Sequence, residues 1–535
     1  MTPSLAVVAR PHTAPSSPAP APAEAGTRLV SLVAPAPVGD PVRVFECARQ
    51  QGRDAVLWHL PARREALVGI GAVATLTGTG VDRFTQVAHA WRALASTAVR
   101  LYGGGEGGPA EPHPVASETL APGAEGLLDS AAGSLDGAGP AVGPVLMGGF
   151  AFAPGDHDGP WAAFGDARLW VPGCVYQVKG DRAWLHVQAQ IPADADPLIA
   201  RQVAEAELER MQASLAGALA HPSGDARDAA PAARAANGAR SGRAADTACG
   251  PAEAVAGPGA VTRRDVPAKE QWLASVAAVV DAIRAGQLEK AVLARTVQVS
   301  AAGGFAPGAA LRYLEKHYPE CYIFAVAHGD QCFLGATPER LVRLEAGQVE
   351  VACLAGSIGR GRTPEEDRRL GAALLGSAKN RHEHQVVLDA IVAGLAPWCN
   401  SVAAAPEPVL LKFANVQHLY TPVRARLRNG ATVLDLAATL HPTPAIGGHP
   451  TAKALAFIRR LEAVDRGWYA GPVGWVDGRG QGEFAVALRS ALLAGEQAWL
   501  YAGCGIMADS DPEAEFAESC LKLRPMLAAL GGADR

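Results

Sequence analysis

Residues 353–384 read CLAGSIGRGRTPEEDRRLGAALLGSAKNRHEH, and the rest of the chain is organised around this stretch. It opens on Leu354-Ala355-Gly356-Ser357, small residues that predict a turn whose backbone amides lie open to an anion because no bulky side chain shields them. Gly359-Arg360-Gly361 then leads into Thr363-Pro364-Glu365-Glu366, a helix start with Thr363 as N-cap, Pro364 at the first helical position and Glu366 closing a capping box. A single helix is expected to carry on for about five turns to Arg381-His382-Glu383-His384. Such a cluster is either a solvated face or a site, and the rest of the chain decides between them.

The 535 residues suffice for one large domain or several ordinary ones. A net charge of -5 and a pI near 6.3 leave no electrostatic footprint for nucleic acid or an anionic membrane. No apolar run is long enough to span a bilayer, and the N-terminus lacks the charged and apolar regions of a secretory signal, so a cytoplasmic protein is expected. Nine cysteines without CxxC spacing read as reduced thiols.

Outward from the central stretch, residues 1–27 are rich in Pro, Ala and Ser and are expected to be a disordered tail. Residues 28–220 form the N-terminal part of the fold. It has strands at Leu29 to Val33 and Ala66 to Leu76, a helix around Val81 to Tyr102 and a Gly/Ala/Pro-rich insertion at 103–142. Gly143 to Lys179 holds two strand-like runs around a loop with Trp161 and Phe164, and Ala200 to about Ala220 is helical. Residues 221–262 have no hydrophobic repeat and read as a linker. From 263 to 535 an amphipathic helix (about Pro267 to Ala285, stopped by Gly286) precedes alternating strands and helices.

Three places carry chemistry. Lys290 begins a strand; there it either snorkels to solvent or, facing a closed and weakly polar site, loses its proton readily enough to act as a general base. Gly335-Ala-Thr-Pro-Glu-Arg340 predicts a tight turn in which Glu339 is a general acid if partly buried, or else a surface partner of Arg340. Asp511-Pro512 starts a helix whose Glu515, Glu518 and Lys522 share one face. Acids favour a first turn in any case, but Glu518 lies deeper, and Glu383 sits on another helix. Two helix-borne carboxylates with open water positions suit Mg²⁺, with Glu515 as outer support. His382 and His384 are softer donors and read as packing or supporting residues.

From about Leu288 to Leu523 the chain resembles the chorismate-utilising enzymes, most closely their isochorismate synthases of menaquinone and siderophore pathways. The resemblance rests on Lys290-Ala-Val-Leu-Ala-Arg295, Gly335-Ala-Thr-Pro-Glu339, Leu354-Ala-Gly-Ser357, Arg381-His-Glu-His384 and Leu440-His-Pro-Thr-Pro-Ala445. Asp465-Arg-Gly-Trp-Tyr469, Gly471-Pro-Val-Gly-Trp475, Tyr501-Ala-Gly-Cys-Gly-Ile506 and Glu515 to Lys522 complete it, and Gly148-Gly-Phe-Ala-Phe152 with Trp161 extends it N-terminally. It implies an α/β (α+β) fold: a single large domain of two packed antiparallel sheets flanked by helices, usually monomeric. It further implies Lys290 as the base that activates water, Glu339 as the acid for the leaving hydroxyl and His418 as a histidine near that hydroxyl. Gly356, Ser357, Arg489, Gly503 and Lys522 would hold the substrate carboxylates, Ala445 and Tyr469 would line the pocket, and Glu383 and Glu518 would take Mg²⁺. Departures are Ala378 and Asn380, where relatives often carry a further acid, and Tyr469, where some siderophore-pathway members have phenylalanine.

Aminating relatives usually carry glutamine at the Lys290 position, and the lysine nucleophile of aminodeoxychorismate synthases would stand at Ala355. Salicylate synthase shares base and acid and then eliminates pyruvate, so it is the enzymatic alternative; a non-catalytic binding subunit is the other. The latter predicts loss of Lys290, Glu339, Glu383 or Glu518, and all four are present.

Overall fold

The computed structural model describes residues 26–102, 140–219, 261–413, 416–428 and 430–531. Most of the expected tail, insertion and linker therefore lies outside the described residues. The edges differ slightly: strand Thr27–Ala36 starts at the last residue assigned to the tail, and strand Val261–Val266 starts inside the assigned linker.

Two large sheets carry the chain, one of 13 strands and one of 10 among the described residues. Sequence-distant strands lie side by side in both. In the larger sheet Tyr322–His328 pairs with Ala55–Leu60, and in the smaller Pro472–Asp477 pairs with Val145–Phe150. The pairing is antiparallel except for Val99–Tyr102, which runs parallel to Thr27–Ala36. This strand corrects the sequence expectation: the helix Arg83–Ser96 ends before it, and the alternating exposure of Val99 to Tyr102 has the period of an edge strand. Gly143 to Lys179 likewise holds three strands, Val145–Phe150, Ala167–Val171 and Cys174–Lys179, rather than two.

The sheets face each other across a core that includes Trp58, Phe150, Trp161, Phe324, Phe333, Trp468 and Phe484. The other face of the larger sheet is covered by the helices Pro41–Gln50, Pro197–Leu219, Pro307–His317 and Pro512–Ala529, with Phe45, Met211, Leu311 and Met526 in that second core. Trp161 is fully buried, and Gly467 opposite it has φ +49; a Cβ there would lie 2.1 Å from the indole, so glycine meets both the backbone and the space requirement. Among the described residues no helix is long and apolar enough to cross a membrane.

The chain passes between the sheets several times, and two of these passages lie together on neighbouring strands beside the site. Gln331–Thr337 lies in the larger sheet and Arg340–Glu345 in the smaller; Gly482–Val486 lies in the smaller and Ser490–Ala494 in the larger. The two crossings are tied together, Ala336 N donating to Arg489 O at 3.2 Å and Val486 N to Glu339 O at 3.0 Å. The expected tight turn at Gly335–Arg340 is therefore a crossing between sheets. Pro338 fits there because the crossing needs no ladder donor at that residue.

The 353–384 stretch is also reorganised. Leu354 to Ser357 is a bulge inside the strand Gln348–Gly359, not a turn: the register against Val416–Leu427 shifts between Ala355 and Ser357, and Gly356 has φ +78. The single long helix is two, Pro364–Gly376 and Ala378–Leu395. Ser377 ends the first and caps the second, its hydroxyl accepting from Asn380 N.

Candidate active site

A cavity of about 170 Å³ opens beside the sheet crossings. Its lining includes every residue expected to serve catalysis, substrate or metal: Lys290, Glu339, Gly356, Ser357, Glu383, His418, Ala445, Tyr469, Arg489, Gly503, Glu515, Glu518 and Lys522. They come from strands, crossings and helices far apart in the chain, so the fold itself assembles them.

Lys290 is the first residue of the strand Lys290–Ala301, which pairs with Gln497–Ile506 and is 2 % exposed at this position. Its Nζ donates to Glu383 Oε1 at 2.6 Å. Gly505 makes room for it, since a Cβ there would come within 2.9 Å of Lys290 Cε. Below the lysine, Arg466 and Glu462 form a buried pair that braces the same strand, Arg466 Nη2 donating to Val292 O at 2.6 Å and Glu462 Oε1 accepting from Ala294 N at 2.7 Å.

Glu339 sits at the first crossing. Thr337 fixes the corner: its hydroxyl donates to Val486 O at 2.6 Å and accepts from Glu339 N at 3.2 Å. Arg340 points elsewhere and pairs with Glu350 at 3.0 Å, so the surface pair Glu339–Arg340 does not form. Burial pushes the Glu339 carboxyl up to about 7, against the opposing pull of Lys290, Lys522 and Arg489.

Arg489 sits at the second crossing with φ +49, a strained conformation for a residue with a side chain. It is buried, its Nη1 has no hydrogen-bond partner, and burial lowers the guanidinium's hold on its proton. His418 Nε2 lies 3.4 Å from Arg489 Nη2, and His418 Nδ1 lies 2.7 Å from Ser357 Oγ. Burial, then the charges of Arg489 and Lys522, hold the imidazole well below its ordinary range, so it is neutral. Facing a donor-only guanidinium, its Nε2 is the acceptor and its Nδ1–H donates to Ser357.

The mouth is built by two helices. Glu383 projects from Ala378–Leu395, whose next residue, His384, locks the helix to the sheet: Nε2 lies 2.8 Å from Thr421 Oγ1 and Nδ1 lies 3.2 Å from Ala355 O. His384 is thus a packing residue, as expected. From Pro512–Ala529, Lys522 Nζ donates to Gly503 O at 2.9 Å and pairs with Glu518 at 2.8 Å. That neighbour holds the Glu518 carboxyl below the usual range, while burial raises Glu515, which accepts from Ser510 Oγ at 2.7 Å.

Sequence reasoning passed over Lys379, Arg466 and Tyr501, which also line the cavity. Arg466 and Tyr501 stand inside motifs already noticed, but their contacts are made across the fold. Tyr501 stacks on Tyr469 with centroids 5.2 Å apart and accepts from Trp161 Nε1 at 2.7 Å.

The sequence matches the family model described as "Chorismate binding enzyme" over residues 19–110 and 236–531. The chain belongs to this family. It is 37 % identical to the salicylate biosynthesis isochorismate synthase of Pseudomonas aeruginosa over 92 % of this chain and 89 % of that one. To the isochorismate synthase MenF of Bacillus subtilis it is 34 % identical over 93 % and 92 %. The solved structure of MenF, the menaquinone-specific isochorismate synthase of Escherichia coli, shares the fold with a TM-score of 0.66 at 24 % identity, covering 95 % of this chain and 96 % of that chain.

In this member of the chorismate binding family the donor set fits a hard divalent cation. Glu383, Glu515 and Glu518 line one cavity, and oxygens of Glu515 and Glu518 lie within 4.8 Å of each other and of Cys504 Sγ. The thiol is fully buried, donates to Glu515 O at 3.2 Å and is kept protonated by burial, which leaves the carboxylates as the available donors.

Proposed function

We propose that the protein is an isochorismate synthase. Water adds at ring carbon 2 of chorismate while the 4-hydroxyl leaves as water, so the net change is an isomerisation. Lys290 takes a proton from the attacking water, and Glu339 gives one to the departing hydroxyl. The observation that carries this reading is Glu339: a carboxyl held near pH 7 by burial, in the same cavity as a lysine on a separate strand. Acid and base on independent scaffolds are what a concerted addition and departure needs. The curated relatives that align over nine-tenths of the chain bear the same activity in their names, which supports the assignment.

Arg489, with a buried donor unpartnered, is proposed to take one substrate carboxylate, with Lys522 and the amides around Gly356 and Ser357 as further anion-binding groups. His418 orients Ser357 and borders Arg489. Tyr469 and Ala445 shape the pocket. Glu383 and Glu518, supported by Glu515, would hold Mg²⁺, which supplies positive charge against the ring carboxylate. Cys174, Cys321, Cys332, Cys353, Cys399, Cys504 and Cys520 are free thiols, consistent with the reducing cytoplasm as the proposed location.

The test is incubation with chorismate and Mg²⁺ and separation of the products. Isochorismate as the main product is expected. Salicylate with pyruvate would replace this reading by the eliminating one, and no product would leave only a binding role.

A further inference from the structure

The cavity holds a cation to which the scheme above gives no work. Lys379 is the second residue of the Ala378–Leu395 helix, lines the cavity and is exposed at its mouth. Glu383 follows four residues later, on the same helix face. From the facing helix, Glu515 and Glu518 line the same cavity, within range of the Lys379 charge. The other lysines are engaged: Lys290 with Glu383, and Lys522 with Glu518 and Gly503 O. Among the described residues, Lys379 forms no ion pair or hydrogen bond.

We infer that Lys379 is a substrate-positioning residue, an unpaired cation at the mouth that holds an anionic group of the incoming substrate and opposes a metal cation at the neighbouring carboxylates. Both halves follow from one charge. A fixed positive group attracts a dianion and repels a divalent cation, so its removal must shift the two affinities in opposite directions. Lost packing would not do this, because a loosened helix would weaken both. The inference rests on the reading of the cavity as a chorismate site.

The experiment compares Lys379→Gln, Lys379→Glu and Lys379→Arg with the parent enzyme. Three quantities are read: kcat and KM for chorismate, the salt dependence of kcat/KM, and Mg²⁺ binding to the substrate-free protein by calorimetry. For Lys379→Gln, KM should rise about five- to tenfold with kcat changed less than about twofold, and the fall of kcat/KM with salt should become shallower. Mg²⁺ alone should bind about two- to threefold more tightly. Lys379→Glu should exaggerate both shifts, and Lys379→Arg should restore both. An unchanged KM in Lys379→Gln, or Mg²⁺ affinity that weakens with substrate affinity, overturns the inference. Failure of the parent to turn chorismate over would instead overturn the reading of the site, and the calorimetric arm, which needs no turnover, would still decide the effect of the charge on the metal.

Discussion

The two sheet crossings and the two mouth helices supply the same cavity with charge in opposite ways. At the crossings Glu339 and Arg489 are buried and left unneutralised: the carboxyl feels Lys290, Lys522 and Arg489 only through space, and one arginine nitrogen has no partner. On the mouth helices Glu383 and Glu518 are each answered by a lysine at 2.6 and 2.8 Å, and Glu518 keeps 41 % of its side-chain exposure. Main-chain bonds between the crossings hold their residues where solvation would not have put them. A buried, unpaired group has a strongly shifted proton affinity, whereas a paired and wetter one remains a plain charge. The crossings therefore suit proton transfer, and the helices suit the binding of ions.

The largest effects should come from the groups that move protons. Glu339→Gln should lower kcat by about 10²- to 10⁴-fold, as should Lys290→Gln, since neither amide can donate or accept the required proton. Lys290→Gln should regain slow product formation with ammonium, which brings its own nucleophile, whereas Glu339→Gln should not, because the hydroxyl must still leave. If Lys290→Gln makes isochorismate at near the parent rate, the lysine is not the base. The parent's activity should decline as pH rises through about 7, where Glu339 loses its proton. Stability carries the same sign. A folded value raised from 4.5 to about 7 contributes stability that is full below pH 4.5 and is lost as pH rises through 7. Above that range the parent bears a buried carboxylate, and Glu339→Gln should be the more stable protein by about 3 kcal/mol at pH 8 in urea unfolding. An inactive variant that is no more stable at pH 8 than the parent would mean that Glu339 is not held in its neutral form by burial.

The helix-borne carboxylates should show a smaller and different effect. Glu518→Gln and Glu383→Gln should raise the Mg²⁺ concentration for half-maximal activity by about tenfold or more, each replacing a charged ligand by a neutral one. Glu518→Gln is the cleaner probe, because Glu383→Gln also removes the partner of Lys290. Full activity of both variants at limiting Mg²⁺ would remove them from the metal site and erase the contrast with the crossings.

The residue types and motifs were legible in the sequence; the geometry that makes them act together was not. Glu339 could be read as an acid in a constrained corner, since Pro338 excludes an ordinary ladder position. That the corner joins two sheets depends on strands more than a hundred residues away, such as Gly482–Val486. Leu354 to Ser357 reads as a turn from sequence because small residues suit both turns and bulges, and only its pairing with His418 on Val416–Leu427 separates the two. The break at Ser377 is written as a Gly-Ser step, but neither residue by itself excludes a continuous helix. Val99 to Tyr102 alternates in a strand's period, yet its partner, Thr27–Ala36, lies some seventy residues upstream. The Lys290–Glu383 contact spans 93 residues, so no local pattern foretells it.

The smallest effect tests where the boundary of the chemistry lies. Tyr501 borders the cavity, and its hydroxyl accepts from Trp161 Nε1 at 2.7 Å. Trp161 is fully buried against Gly467, so the indole cannot turn to find another acceptor without displacing the backbone. Tyr501→Phe keeps the ring that stacks on Tyr469 and removes only the acceptor. The stranded indole N–H should cost about 1–3 kcal/mol in urea unfolding, while kcat and KM stay within about threefold of the parent. This pairing of lost stability with kept activity marks Tyr501 as a prop behind the site. If Tyr501→Phe instead loses activity on the scale of Glu339→Gln without losing stability, its hydroxyl takes part in the reaction, and the proton-moving groups extend beyond Lys290 and Glu339 into the strand Gln497–Ile506.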